Sequence, residues 1–492
     1  MAVFWYTLLF SCVALVHVLP ETVGADKSQR EREADKVVYL PGQPLEQFGF
    51  QHFAGYIKLR PNDEKALFYW FFEAQNDVSH RPLVLWLNGG HTGHKANEGR
   101  KKREEKGEGP GCSSVAYGAM QELGPFLVRN KGQLIYNKYS WNKVANILFL
   151  EAPVGVGFSY SNKSGDTEKL GDSITAEDSH AFLIGWFKRF PNFRLHDFYI
   201  AGESYAGHYV PQLANLIHEK NKGAKKGYSI NLKGILMGNA VINDPTDQPG
   251  LIDYAWTHAI ISDQLHRNIY KDCDFKSNIS TSQCTMHIRG FLEAYSGIDI
   301  YNIYAPVCLS SLNKAAQKLI VAPRFFTQHD LWHKLPSGYD PCTEDYVEAY
   351  LNREDVQKAL HANLTKLSYP YTPCSNIIRK WNDAPDTVLP IIRKLLNTGL
   401  RVWVFSGDTD GRVPVTSTRY SINEMGLKVK EEWRAWYHKQ QVAGWVGTYV
   451  EGGLTFLTVR GAGHQVPMFA PDQSLSLFSH FLSNTPLPSS HH

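Results

Sequence analysis

Six short apolar runs, "PLVLWLNGG", "NILFLEAP", "DFYIAGES", "GILMGNAVI", "LRVWVFSGD" and "LTFLTVRGAGH", each break off in glycine or a polar turn. Their cores do not alternate polar with apolar residues. A strand that is apolar on both sides must be covered on both faces, as in a parallel sheet packed between helices. Helical patterns lie between the runs. After "GES", Val210, Leu213 and Ile217 recur three and four apart; before it, "TAEDSHAFLIGWFKRFP" opens on a capping Thr175 and stops at Pro191. Strand–helix alternation predicts an α/β fold with a mostly parallel central sheet. From about residue 244 to 385 the rhythm lapses. That segment holds Cys273, Cys284, Cys308, Cys342 and Cys374 and reads as a cap inserted into a core made of residues 44–243 and 386–492.

Residues 1–25 are apolar up to the Pro20–Glu21 pair and end in Val23, Gly24 and Ala25, the pattern of a secretory signal peptide. No other run approaches the ~20 residues that a membrane span needs, so no membrane contact is expected once the signal is removed. Residues 26–43 read as a charged, disordered lead-in. A hydrophobic content of 43% supports a large core, and a net charge of +3 is too slight to point to a nucleic-acid partner. Cys12 lies in the leader. The other six cysteines, in a secreted chain, predict three disulfides whose pairing the spacing leaves open. Sequons at Asn162, Asn278 and Asn363 fit the same secretory route, to an extracellular or vacuolar, lysosome-like destination.

One segment fits neither pattern. Residues 91–109, "HTGHKANEGRKKREEKGEG", contain no large apolar side chain and cannot bury themselves. His91 and His94 lack an acid or cysteine at ligand spacing, so no metal or other cofactor is expected.

Ser204 stands in "GESYAG", between Gly202 and Gly207, one residue longer than G-x-S-x-G. It closes a strand and opens a helix, where a sharp turn can lift a hydroxyl clear of its neighbours. A serine attacks a carbonyl only when a base takes its proton and an acid orients that base. "VFSGDTDGRVP" offers Asp410 and Asp408, and "VRGAGHQVP" offers His464. Asp410 is the preferred acid, because Asp408 abuts the strand and can brace the loop. The backbone N–H of Tyr205 and a glycine of "WLNGG" supply candidate oxyanion donors.

Taken in order, "LNGG", "PGCSSVAYG", "ELGPF", "SWNKVANILFLEAPVGVGFSYS", "GESYAGHYVP", "GNAVIND", "SGDTDGRVP" and "GAGHQVP" resemble the serine carboxypeptidases, the peptidase S10 family, from about residue 44 to 488. The resemblance implies an α/β-hydrolase core with an inserted cap, and release of single residues from peptide and protein C-termini at acid pH through an acyl-enzyme. It implies Ser204, Asp410 and His464 as the catalytic residues, with Gly90 and Tyr205 as oxyanion donors. Asn88, Gly89, Glu122 and Glu203 would bind the substrate's terminal carboxylate. It also implies the disulfides Cys112–Cys374, Cys273–Cys284 and Cys308–Cys342, and a monomer or homodimer. Acyltransferases and hydroxynitrile lyases belong to the same family; the acyltransferases usually carry aspartate where Glu203 stands. The family runs directly from the paired glycines into "PGCSS", so residues 91–109 intrude beside Gly90, and an inactive homologue is the further alternative. Gln465, neutral where some relatives carry an acid, suggests a hydrophobic or broad preference for the departing residue.

Overall fold

A computed structural model describes residues 27–490 except 47, 61–63, 91–109, 164, 226–227, 276–280, 310–338, 363–366, 368 and 451–452. The signal peptide, the polar insertion and the sequons at Asn278 and Asn363 therefore lie outside the described residues. Eleven strands form one sheet: β1 (His52–Lys58), β2 (Lys65–Phe72), β3 (Leu83–Asn88), β6 (Asn146–Leu150), β7 (Tyr160–Ser161), β8 (Phe198–Glu203), β9 (Leu232–Gly238), β10 (Arg401–Gly407), β11 (Val429–His438), β12 (Gln441–Tyr449) and β13 (Leu454–Val459). A separate hairpin pairs β4 (Phe126–Arg129) with β5 (Gln133–Tyr136).

The six apolar runs become the contiguous parallel centre of this sheet, in the order β6, β3, β8, β9, β10, β13. Antiparallel strands extend it at both sides, β2 and β1 beyond β6, and β12 and β11 beyond β13. Two large apolar clusters pack on the sheet. One takes Leu85, Ile200 and Val404; the other takes the alternating neighbours Trp86, Ala201 and Phe405. Successive side chains of one strand point to opposite faces, so both faces are covered and the runs need no polar side.

The helix Asp172–Arg189 starts three residues before the expected cap. Thr175 lies inside its first turn, where its hydroxyl donates to Gly171 O at 2.7 Å. The helix ends ahead of Pro191, as the lack of a proline N–H requires. Residues 26–43 need a larger correction. Residues 27–34 are helical, and Val37 and Leu40 are buried in the core. The Asp35 carboxylate receives the Tyr69 hydroxyl at 2.5 Å and Arg189 at 2.6 Å, so paired charges hold the segment down.

Between β9 and β10 the described residues form the helices Asp244–Thr257, Asp263–Asp272, Ser282–Tyr295, Thr343–Leu351, Glu354–Ala359 and Leu389–Leu396, and no strand. A smaller apolar cluster, with Ile252, Ile269 and Phe291, sits among the first three. Disulfides join Cys273 to Cys284, Cys308 to Cys342, and Cys112 to Cys374. The last ties the loop after β3 to the end of this segment. Among the described residues no helix is long and apolar enough to cross a membrane.

Candidate active site

Parallel strands release their loops at one edge of the sheet, and five neighbouring strands, β3, β8, β9, β10 and β13, bring polar side chains there. At the end of β8 the chain turns at Ser204, whose φ of 64° is rare for a residue with a Cβ. Three backbone hydrogen bonds hold the strained turn: Ser204 N–H to Gly238 O at 3.1 Å, and Ser204 O from Gly207 and Val241 at 2.9 and 3.0 Å. The flanking glycines are dictated by space. A Cβ on Gly202 would lie 2.4 Å from Leu87 O, and one on Gly207 would lie 2.2 Å from Val241 O. The helix Ala206–Lys222 begins directly behind, so its positive end faces the serine.

The loops after β10 and β13 meet beside it. His464 Nδ1 lies 2.7 Å from Asp410 Oδ2, and Asp410 is wholly buried. The same carboxylate accepts Asn239 Nδ2 at 2.7 Å and the N–H groups of Arg412 and Val413 at 2.8 and 3.2 Å. Asp408 points elsewhere and accepts the Gly461 N–H at 2.6 Å. The structure thus brings Asp410, not Asp408, to the imidazole. Among the described residues no hydrogen bond joins Ser204 to His464; both line a cavity of about 370 Å³ with Asn88, Gly90 and Glu203. Catalytic hydrogen bonds are often long without substrate.

The acids next to the serine are explained by register. Asn88 and Glu203 are direct partners across β3 and β8. Asn88 Nδ2 donates to Glu203 Oε1 at 2.9 Å and to Glu122 Oε1 at 3.2 Å. The Trp86 indole N–H donates to Asn88 Oδ1 at 2.6 Å, which fixes the amide with its nitrogen towards the acids. Glu122 ends a π-helical turn, Val115–Glu122, that the Ser113 hydroxyl caps by accepting the Val115 and Ala116 N–H groups at 3.1 and 2.9 Å. Burial pushes Glu122 up to about 7, against the hydrogen bonds from Glu203 and Asn88. Burial, then the charge of Glu122, pushes Glu203 well above the carboxylate range. Two close carboxyls out of water cannot both ionise cheaply, so a proton stays on the pair.

Gly90 has a φ of 67°, and a Cβ there would lie 2.0 Å from Cys112 Sγ. The Cys112 N–H donates to Gly89 O at 3.1 Å. Both flanks of residues 91–109 are therefore in contact. Asn162 is exposed.

Sequence reasoning missed Trp86, Asn239 and Asp172. Asn239 sat in the quoted "GNAVIND" as a polar residue just past a buried strand, and that was its one signal. Asp172 lies beneath the serine turn. It accepts the Tyr205 hydroxyl at 3.0 Å, the Trp381 indole at 2.9 Å, His208 Nδ1 at 2.9 Å and Gln212 at 2.6 Å.

A serine on a strained strand-to-helix turn, at the carboxyl edge of a mostly parallel sheet, defines an α/β-hydrolase. The chain belongs to the serine carboxypeptidase family, whose profile matches residues 41–93 and 107–484 and skips only the middle of the polar insertion. Serine carboxypeptidase-like 35 of Arabidopsis thaliana is 61% identical over 477 residues, 96% of this chain and 95% of its own. Serine carboxypeptidase 24 of the same plant is 46% identical over 489 residues, 98% of this chain and 99% of its own. Among solved structures, the prohormone-processing carboxypeptidase Kex1(Δ)p of Saccharomyces cerevisiae superposes with a TM-score of 0.72, covering 92% of this chain and 96% of its own at 24% identity. The chain is accordingly a hydrolase of this family, which acts on peptides.

Proposed function

We propose that this protein releases single residues from peptide C-termini at acid pH, through an acyl-enzyme on Ser204. His464 takes the serine proton and later gives it to the leaving amine, and Asp410 holds the imidazole with Nδ1–H towards itself. The N–H groups of Gly90 and Tyr205 receive the oxyanion. The observation that carries an exopeptidase reading is the Asn88–Glu122–Glu203 cluster beside the serine. A protonated carboxyl and an amide can donate to a terminal carboxylate, and a substrate continuing past that point would bury an uncharged peptide group there instead. Disulfides and the leader support passage through the secretory pathway.

The cavity that holds Ser204 is also lined by Asp340 and Glu344. The Asp340 carboxylate offsets the neutrality of Gln465, so the protein should accept lysine and arginine as departing residues alongside apolar ones. Blocked dipeptides ending in leucine, arginine or an amidated residue test the reading at pH 5. Release of free leucine and arginine, with the amide resistant, is expected. Hydrolysis of the amide as fast as the acid would overturn the carboxylate role, and failure on arginine would remove the basic preference.

A further inference from the structure

We propose that residues 299–303, in the segment between β9 and β10, act as a positioning strap that sets the geometry of the catalytic acid and base. The proposal rests on the Ser204–His464–Asp410 reading above. Acid and base sit on separate loops, after β10 and after β13, and the strap is hydrogen-bonded to both. The His464 N–H donates to Tyr301 O at 2.7 Å. The residues on either side of Asp410 are also tied down: Gly411 N–H donates to Ile300 O at 2.9 Å, and Thr409 O accepts the Ile303 N–H at 3.0 Å. The Tyr301 ring meets the imidazole edge to face, with centroids 5.1 Å apart.

The strap has its own supports. Ile300 and Ile303 pack on the small apolar cluster of the neighbouring helices, outside the two main clusters. The Asp299 carboxylate closes the turn, accepting Tyr301 N–H at 2.9 Å and the Tyr339 hydroxyl at 3.3 Å. The loop after β13 makes room for it. Gly463 lacks a positive φ, so its backbone would suit other residues, yet a Cβ there would lie 2.4 Å from Tyr301 O and 2.6 Å from the Asn302 side chain. That glycine is explained by the strap's passage and by nothing in its own conformation. A misplacement of one ångström in such a pair costs about 10²-fold in rate.

Gly463→Ala and Asp299→Ala test the strap, with a blocked dipeptide ending in leucine as substrate. Each should lower kcat by roughly 10- to 100-fold, slow phosphonylation of Ser204 by a fluorophosphonate in parallel, and leave inhibition by free leucine within about twofold. Asp299→Asn keeps an acceptor for Tyr301 N–H and should recover kcat to within about threefold. A purely structural role would lower the active fraction without changing the rate constant for labelling. Unchanged kcat in both alanine variants, or Asp299→Asn as slow as Asp299→Ala, would overturn the proposal. Turnover by Ser204→Ala would instead overturn the catalytic reading beneath it.

Discussion

Glu122 and Glu203 share one amide nitrogen, lying 3.2 and 2.9 Å from Asn88 Nδ2. With burial pushing Glu122 up to about 7 and holding Glu203 well above the ordinary carboxylate range, the pair keeps its proton in acid and loses it as pH rises. A substrate carboxylate held there would be attracted in the first state and repelled in the second. KM for a peptide should therefore climb by about tenfold or more between pH 5 and 8, while kcat follows its own profile. In Glu203→Gln an amide N–H can donate at any pH, so the rise should flatten. An unchanged pH dependence of KM in that variant would remove the pair from substrate binding.

Asp410→Asn should lower kcat by about 10³- to 10⁴-fold, because the imidazole loses the partner that holds its tautomer. Asp408→Asn removes a charged acceptor from Gly461 N–H and should cost stability, about 1 kcal/mol, with kcat within a few-fold. Steady-state kinetics and thermal unfolding of the two variants decide it; the opposite pattern would reassign the acid.

Stability should favour acid. Burial pushes Glu151 up to about 7, although it accepts Ser113, Tyr371 and the Phe158 N–H. Asp247 behaves alike, raised to about 7 chiefly by burial. A folded pKa above the unfolded one gives stability that is complete below the unfolded value and lost as pH rises through the folded one. Each group should remove on the order of 3 kcal/mol between about pH 4 and 7. Tm should fall by several degrees from pH 5 to 8, and Glu151→Gln should reduce that fall. A Tm rising over this range would refute the assignment.

Deleting residues 91–109 joins Gly90 to Pro110. Gly89 O already receives the Cys112 N–H, and Cys112 is bonded to Cys374, so the ends converge on anchors of their own. Tm should stay within about 2 °C, and kcat within about threefold, since longer loops add little closure cost. A tenfold rise in kcat would show that the insertion displaces the Gly90 N–H.

Much of this protein was legible in its sequence. The six strands of the parallel centre read directly as apolar runs, because burial on both faces leaves no alternation to confuse them. Ser204 read from its strand–turn–helix setting, and His464 from the Gly-Ala-Gly turn after a buried run. The antiparallel margins did not. "KALFYWFF" of β2 is as apolar as any central strand, yet it runs antiparallel, and residue burial does not encode strand direction. β11 is largely exposed and carries the charges that suit an edge. Residues 26–43 read as disordered because their charges face partners far along the chain, such as Arg189 for Asp35.

The site divides in the same way. Residue types and turns are local, so sequence named the candidate nucleophile, its candidate base and both candidate acids. Choosing Asp410 geometrically needed the crossing of two loops, and the contact of Asn88 with Glu203 needed the register of β3 on β8. Asn239, Asp172 and the strap at Tyr301 act through contacts made only when distant segments meet, whereas Trp86 acts on Asn88 two residues along the same strand. A chain's local pattern records which residues turn and which hide from water. Which buried polar group meets which is decided by tertiary packing, where a single step of register would exchange every partner.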